Sequence, residues 1–235
     1  MLTVVNDTRS LDAGGVEQFL HRWYGLEGGS HAVAAESFVP AELKTWHEAV
    51  ARAGVSVAFQ DYPIPLNDLS PRPGGLLPFW VENQHGFEWA VKLDDPGNQV
   101  HFRESGSEDW WPTGEDLEDF LLHCTIREAI IGAAEKFTVF VAESLLNDAL
   151  ESFKMLKFPA LASEEPETRI WSSLDALARV TVPPVGYENP GEKIWMVTVA
   201  VAGDASIQKY GSRFNIENSD VVPTLADVSD EAPPF

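Results

Sequence analysis

The chain has 235 residues and a mass of 25.9 kDa, enough to bury about 70% of its unfolded surface without disulfide or metal staples. Apolar residues at 44% and charged residues at 23% are globular values, which argue against whole-chain disorder or membrane insertion. With 16 Lys and Arg against 37 Asp and Glu the formal charge is −21, which argues against nucleic acid or anionic lipid as direct partners, because both are held by cationic surface. Solubility alone accounts for such acidity, and so does a basic protein partner. The one cysteine, Cys124, leaves no internal disulfide and fits a reducing compartment. The first residues lack a basic start followed by an apolar core, so a cytoplasmic protein is expected.

Two helices open the predicted fold. Val16, Phe19, Leu20 and Trp23 recur at helical spacing, with Ser10 or Asp12 near the start and Gly25 after the end. Pro40 stands where a first helical residue belongs, Leu43, Trp46 and Val50 form an apolar stripe, and Gly54 supplies a left-handed stop. Val55 to Phe59 reads as a short strand, and the proline-containing stretch from Ile64 to Gly75 as an irregular connection.

Three strand-like runs follow, Leu76 to Val81, Phe87 to Leu93 and Gln99 to Arg103, separated by turn chemistry at Asn83 to Gly86 and Asp94 to Asn98. They predict an antiparallel meander with Phe87, Trp89 and Val91 on one face and Glu88, Ala90 and Lys92 on the other. A helix is then expected over Thr113 to Ala134. Thr113 and Asp116 make a weakened capping box, Glu115, Asp116, Glu118 and Asp119 crowd the positive end of its dipole, and Leu117, Phe120, Leu121 and Cys124 form its buried stripe.

Phe137 to Ala142 is a strand or a helix start, and Leu146, Ala149, Leu150, Phe153 and Leu156 make another helical stripe. Ser163 to Thr168, with three glutamates, reads as an exposed loop. Ile170 to Ser172, Ala178 to Pro183 and Ile194 to Ala202 read as strands, and Asp204 as the cap of a short helix through Lys209. These elements predict one α+β domain over residues 1–215, a central antiparallel sheet flanked by helices, with an acidic, mobile tail over 216–235. A division near residue 160 is the reserve.

The usual catalytic signatures, G-x-S-x-G, H-E-x-x-H, the P-loop, G-x-G-x-x-G and C-x-x-C, are missing. His123 and Cys124 are neighbours, but side chains one residue apart on a helix diverge by about 100°, and Cys124 falls on the apolar stripe. His85, Glu88 and His101 lie on a turn and the following strands; a metal-dependent hydrolase would need all three to converge, and local hydrogen bonding is the more ordinary role. Of the eight tryptophans, Trp80, Trp89, Trp110 and Trp111 cluster around the meander, mostly as core, with one or two free to anchor an interface.

From Glu104 to Asp119 there are seven acidic residues and no basic one, interrupted by Trp110-Trp111-Pro112. The helix dipole accounts for the later members of the run. Glu104, Glu108 and Asp109 lie ahead of it and suit the capture of a cationic protein, since complementary charge speeds encounter and aromatics supply contact area.

The stretch LPFWVENQHGFEWAVKLDDPGNQVHFR, residues 77–103, resembles the SMI1/KNR4 or SUKH superfamily through Glu82-Asn83-Gln84, Gly86, Trp89, the Asp-Asp-Pro turn and the strand after it. The following helix with its I-R-E-A-I-I-G-A ending is also compatible, so the similarity extends over about residues 12–210. The resemblance implies a non-catalytic binding protein without cofactor or metal, because many bacterial members of that superfamily are immunity proteins that neutralise toxins, often nucleases. A regulatory or scaffold module for an endogenous protein is the alternative. The expected partner-binding residues are Glu82, Asn83, Gln84, Glu108, Asp109, Trp110, Trp111, Glu115 and Asp116. Fixing the hairpin is the more ordinary role for the first three, with recognition at the mouth of a sheet-lined groove as the other.

Overall fold

The computed structural model describes residues 15–25, 35–187, 191–203 and 206–214. The expected tail and the expected cap Asp204 lie outside them. Helix α1 (Gly15–Tyr24) buries Val16, Leu20 and Trp23, and α2 (Ala41–Ala53) buries Leu43, Trp46 and Ala49, the faces their spacing dictates. Pro40 is the residue just before α2 rather than its first member. Gly54, at φ 63°, closes the helix by donating its N–H to the Val50 carbonyl at 3.3 Å.

The next five strands form a meander in sequence order: β1 (Tyr62–Pro63), β2 (Leu76–Val81), β3 (Phe87–Lys92), β4 (Gln99–Glu104) and β5 (Trp111–Asp116). All neighbours are antiparallel. Trp80 and Trp89 pair across β2 and β3 and are both fully buried, and Phe120 closes on Trp89 and Phe79 at ring-centroid distances of 5.9 and 5.6 Å. The other face of β3 is not open throughout. Ala90 is fully buried, and Arg72 of the preceding connection reaches Glu88 through two hydrogen bonds of 2.6 and 2.8 Å.

A second antiparallel sheet stands where a single central one was expected. Its strands are β6 (Lys136–Ala142), β7 (Lys154–Met155), β8 (Arg169–Ser172), β9 (Ala176–Thr181) and β10 (Ile194–Val201), in the order β6-β10-β9-β8-β7. The fold is α+β, two antiparallel sheets flanked by helices. Helix α3 (Leu117–Gly132) joins them, touching α1, α2, β4, β9 and β10. Every residue from Phe120 to Ile130 is buried as a result, since a helix walled in on all sides has no solvent face to offer its polar residues. One face of the second sheet adds Ile170, Leu177 and Ala200 to this core. A separate cluster, with Phe137, Trp195, Val197 and Val199, packs against Leu146 of α4 (Glu143–Ala149) and Tyr210 of α5 (Gln208–Gly211).

Several local expectations change. Val55 to Phe59 is not a strand. The backbone N–H groups of Phe59, Gln60 and Asp61 donate to the Glu128 carboxylate at 2.6, 2.7 and 3.3 Å, so a side chain takes the place of a ladder. Thr113 is not a helix cap but a residue of β5, and Asp116 is the N-cap, its Oδ1 accepting the Asp119 N–H at 2.9 Å. Replacing Asp116 by Ala should cost about 1 kcal/mol in urea unfolding, and no measurable cost would show the cap to be idle. The stripe from Leu146 to Leu156 is helical only to Ala149. Phe153 and Leu156 are buried, but in different clusters, beyond a turn in which the Phe153 N–H donates to the Leu150 carbonyl at 2.8 Å. Phe137 to Ala142 is a strand, and the loop at 163–168 is not wholly exposed, because the Glu164 side chain is buried.

Candidate functional site

The connection from β4 to β5 carries the acidic run. Glu104, Glu108 and Asp109 are exposed and enter no ion pair among the described residues. Arg103, the nearest cation in sequence, is spent elsewhere: its guanidinium pairs with Glu88 and lies 5.0 Å from the centroid of the Trp110 ring. The two tryptophans divide accordingly. Trp110 is half-buried under Arg103, while Trp111 leans on Phe102 at 5.8 Å and remains 41% exposed. Trp111 is therefore the aromatic able to meet a partner.

Glu115 and Asp116 separate because β5 alternates its side chains between faces. Asp116 points to solvent at the strand's end. Glu115 points inward, is 5% exposed, and holds His123 Nδ1 at 3.1 Å, with the imidazole stacked on Phe158 at 4.5 Å. The expectation that Glu115 is a surface charge for a partner is corrected. Cys124, next to His123, faces the core, where burial and the Glu115 charge push its thiol well up, the opposite of an activated nucleophile.

Glu82, Asn83 and Gln84 form the β2–β3 turn. Glu82 Oε2 accepts the N–H groups of Gln84 and Gly86, each at 3.0 Å, and the Asn83 N–H donates to Asp61 Oδ1 at 3.4 Å. His85 takes φ 58° there, and the Glu82 carboxylate holds the turn closed around it. Glu82 is thus occupied by the hairpin, whereas the Gln84 side chain is exposed. His85, Glu88 and His101 do not gather: Glu88 is taken by Arg72 and Arg103, His101 Nδ1 lies 3.1 Å from the Gln99 carbonyl oxygen, and no cluster suited to a metal occurs among the described residues.

A buried ionic cluster escaped the reading of the sequence. Arg127 donates to Asp61 Oδ2 at 2.7 Å, Glu128 Oε1 at 2.9 Å and Glu164 Oε1 at 2.9 Å, and Arg179 donates to the same Glu164 oxygen at 2.9 Å. These groups come from the segment before β1, from α3, from the β7–β8 connection and from β9, so the cluster joins both sheets to the central helix. Burial raises the Asp61 carboxyl above its ordinary value, Arg127 opposing and Glu128 adding to the rise. Burial pushes Glu164 the same way, but Arg179 and Arg127 outweigh it and hold its carboxyl below the ordinary range. The one available signal was the adjacent charged pair Arg127-Glu128 in the apolar second half of the helix, a position where charges must be paired.

Beside β5 a cavity of about 350 Å³ opens against the β7–β8 connection, walled by Phe102, Pro112, Thr113 and Glu115 on one side and by Ala160, Leu161, Ala162, Glu164 and Pro166 on the other. The exposed Trp111 lies on the same strand as Glu115. Among the described residues no helix is long and apolar enough to cross a membrane. Comparison with family models, curated proteins and solved structures found no match.

Proposed function

We propose that this chain is a non-catalytic immunity protein of the SUKH, or SMI1/KNR4-like, kind, acting in the cytoplasm by binding a cationic, nuclease-type toxin domain and covering its active cleft. The observation that carries the reading is the exposed acidic run at Glu104, Glu108 and Asp109, next to the exposed Trp111 and without a cation of its own. A surface of that composition attracts a basic protein over a Debye length and offers it an aromatic contact on arrival. Asp116 extends the charge along β5. Two further features support the reading: the net charge of −21, and the position of the SUKH-like stretch, residues 77–103, on β2, β3 and β4. In a complex with a nuclease the acidic rim stands where substrate phosphates otherwise lie, so inhibition needs occupation and no turnover. Neither cofactor nor metal has a part in it.

Rim charges act on encounter more than on the final contact. Reversing Glu104, Glu108 and Asp109 to Lys should therefore slow association with the cationic toxin domain by about tenfold at low salt and flatten the dependence of the rate on ionic strength. Stopped-flow mixing reads both quantities. An association rate equal to wild type would remove this surface from the binding site.

A further inference from the structure

We infer that the outer edge of β6 pairs with the same edge of a second copy of this chain, antiparallel and about a two-fold axis, so that the second sheet runs on from one copy into the other. β6 ends the order β6-β10-β9-β8-β7, and among the described residues no strand lies on its free side. Its backbone shows what fits there. Just outside the strand the Glu143 N–H donates to the Lys193 carbonyl at 2.8 Å, and the Glu135 carbonyl accepts the Val201 N–H at 3.1 Å. In an antiparallel ladder a residue's N–H and C=O point the same way and alternate from one residue to the next. Phe137, Val139 and Val141 therefore address β10, while Lys136, Thr138, Phe140 and Ala142 present their N–H and C=O groups outward. Another extended backbone is what meets such a row in register.

The other sheet edges carry devices against such pairing, and β6 lacks them. β1 and β7 are two residues long, and β1 includes Pro63, whereas β5 has a register shift, Pro112 and the acids Glu115 and Asp116. β6 has seven residues, KFTVFVA, in unbroken register with β10 and with neither proline nor acid. Its one lysine, Lys136, bonds back to the Ile131 carbonyl. Beside the same edge Phe140 is 46% exposed and stacks at 4.4 Å on Tyr187, which is 54% exposed.

A second copy is the occupant whose pattern matches without adjustment. Turned about an axis through Val139, it sets Lys136 opposite Ala142 and Thr138 opposite Phe140, so that outward-facing residues meet and exchange hydrogen bonds in both directions. The two Phe140 side chains become diagonal neighbours, within aromatic reach, and the two Phe140–Tyr187 stacks gather on one face. Charge agrees at the strand ends, where Lys136 comes beside the position that Glu143 of the second copy follows. Glu135 faces that Glu143 too, but beyond the end of the ladder, in water, where screening keeps the repulsion small.

Sedimentation equilibrium and amide hydrogen exchange of the chain alone test the pairing. The mass should rise from 25.9 kDa to twice that value, and no further, between about 1 and 500 μM protein. Because each copy carries a net charge of −21, the dimer should strengthen with added salt, the reverse of the rim's response to a cationic partner. Amides of Thr138, Phe140 and Ala142 should gain protection with concentration, while those of Phe137, Val139 and Val141 stay protected throughout. Thr138→Pro removes an outward donor and no bond to β10, and Phe140→Lys puts a charge beside the axis; each should weaken the dimer at least about tenfold while thermal unfolding stays cooperative. A monomer at every concentration and salt, or a dimer that both variants leave unchanged, would overturn the inference. So would protection of the outward amides only after a basic protein is added, which assigns the edge to that protein's strand, or their protection in the monomer, which assigns it to another segment of this chain. Reversing Glu104, Glu108 and Asp109 should not weaken the dimer, so its fate is separable from that of the rim.

Discussion

Replacing Arg127 by Ala should destabilise the protein by about 3–5 kcal/mol at neutral pH, the range for removing one partner from a buried ionic cluster. The effect comes less from lost attraction than from what is left behind: Asp61, Glu128 and Glu164 would stand in the interior with only Arg179, on Glu164, as counter-ion. Urea unfolding with an unchanged slope reads the difference. Acidity supplies a second signature. Burial already raises the Asp61 carboxyl and Arg127 opposes the rise, so without Arg127 it ionises at still higher pH in the folded chain, and its penalty is largest above that value and shrinks as pH falls through it. Wild type moves the other way at Glu164, whose depressed value stabilises the fold above the ordinary carboxylate range and ceases to do so on acidification through the folded value. The gap between variant and wild type should therefore narrow as pH falls from neutrality into the carboxylate range. A loss below about 1 kcal/mol at pH 7, or a gap independent of pH, would show that the cluster does not join the two sheets as described.

Trp46→Ala should cost about 3–5 kcal/mol through the cavity it leaves between α2, β2 and α3. The indole is 2% exposed, meets Trp80 edge-on at 5.5 Å and donates its Nε1–H to Thr125 Oγ1 at 2.9 Å. Thr125 in turn donates its hydroxyl to the Leu121 carbonyl at 2.6 Å, so it retains one partner when the indole is removed. Trp46→Phe keeps most of the volume and loses the donor, and should cost about 1–2 kcal/mol. Equal losses for the two variants would mean that the hydrogen bond, rather than the packing of the ring, dominates this contact.

The parts of the fold that were legible in the sequence are those decided by neighbours in the chain. The faces of α1 and α2, the left-handed stop at Gly54 and the β2–β3–β4 meander follow from local spacing and turn chemistry. Pairing β6 with β10 does not, since their residues lie more than fifty positions apart and β6 reads equally well as a helix start. The cluster of Asp61, Arg127, Glu164 and Arg179 was hidden for the same reason, with each partner supplied by a different element. Within the candidate site, the exposed acids and one exposed tryptophan were legible as a charge run with no basic residue. Glu115 was not legible, because the capping pattern at Thr113 and Asp116 puts it in the first turn of a helix, where acidic residues stay in water. As a strand, 111–116 sends alternate side chains inward.

The central claim is that the molecule works by occupying a basic protein. Its most direct test is size-exclusion chromatography with light scattering of the chain mixed with the purified product of the gene beside its own, in low and in high salt, together with that product's nuclease activity. The account predicts a stoichiometric complex in which the nuclease is silent, formed more slowly as salt rises and more slowly still after reversal of Glu104, Glu108 and Asp109. A neighbouring nuclease that stays fully active and elutes apart from the chain at every ionic strength would contradict it.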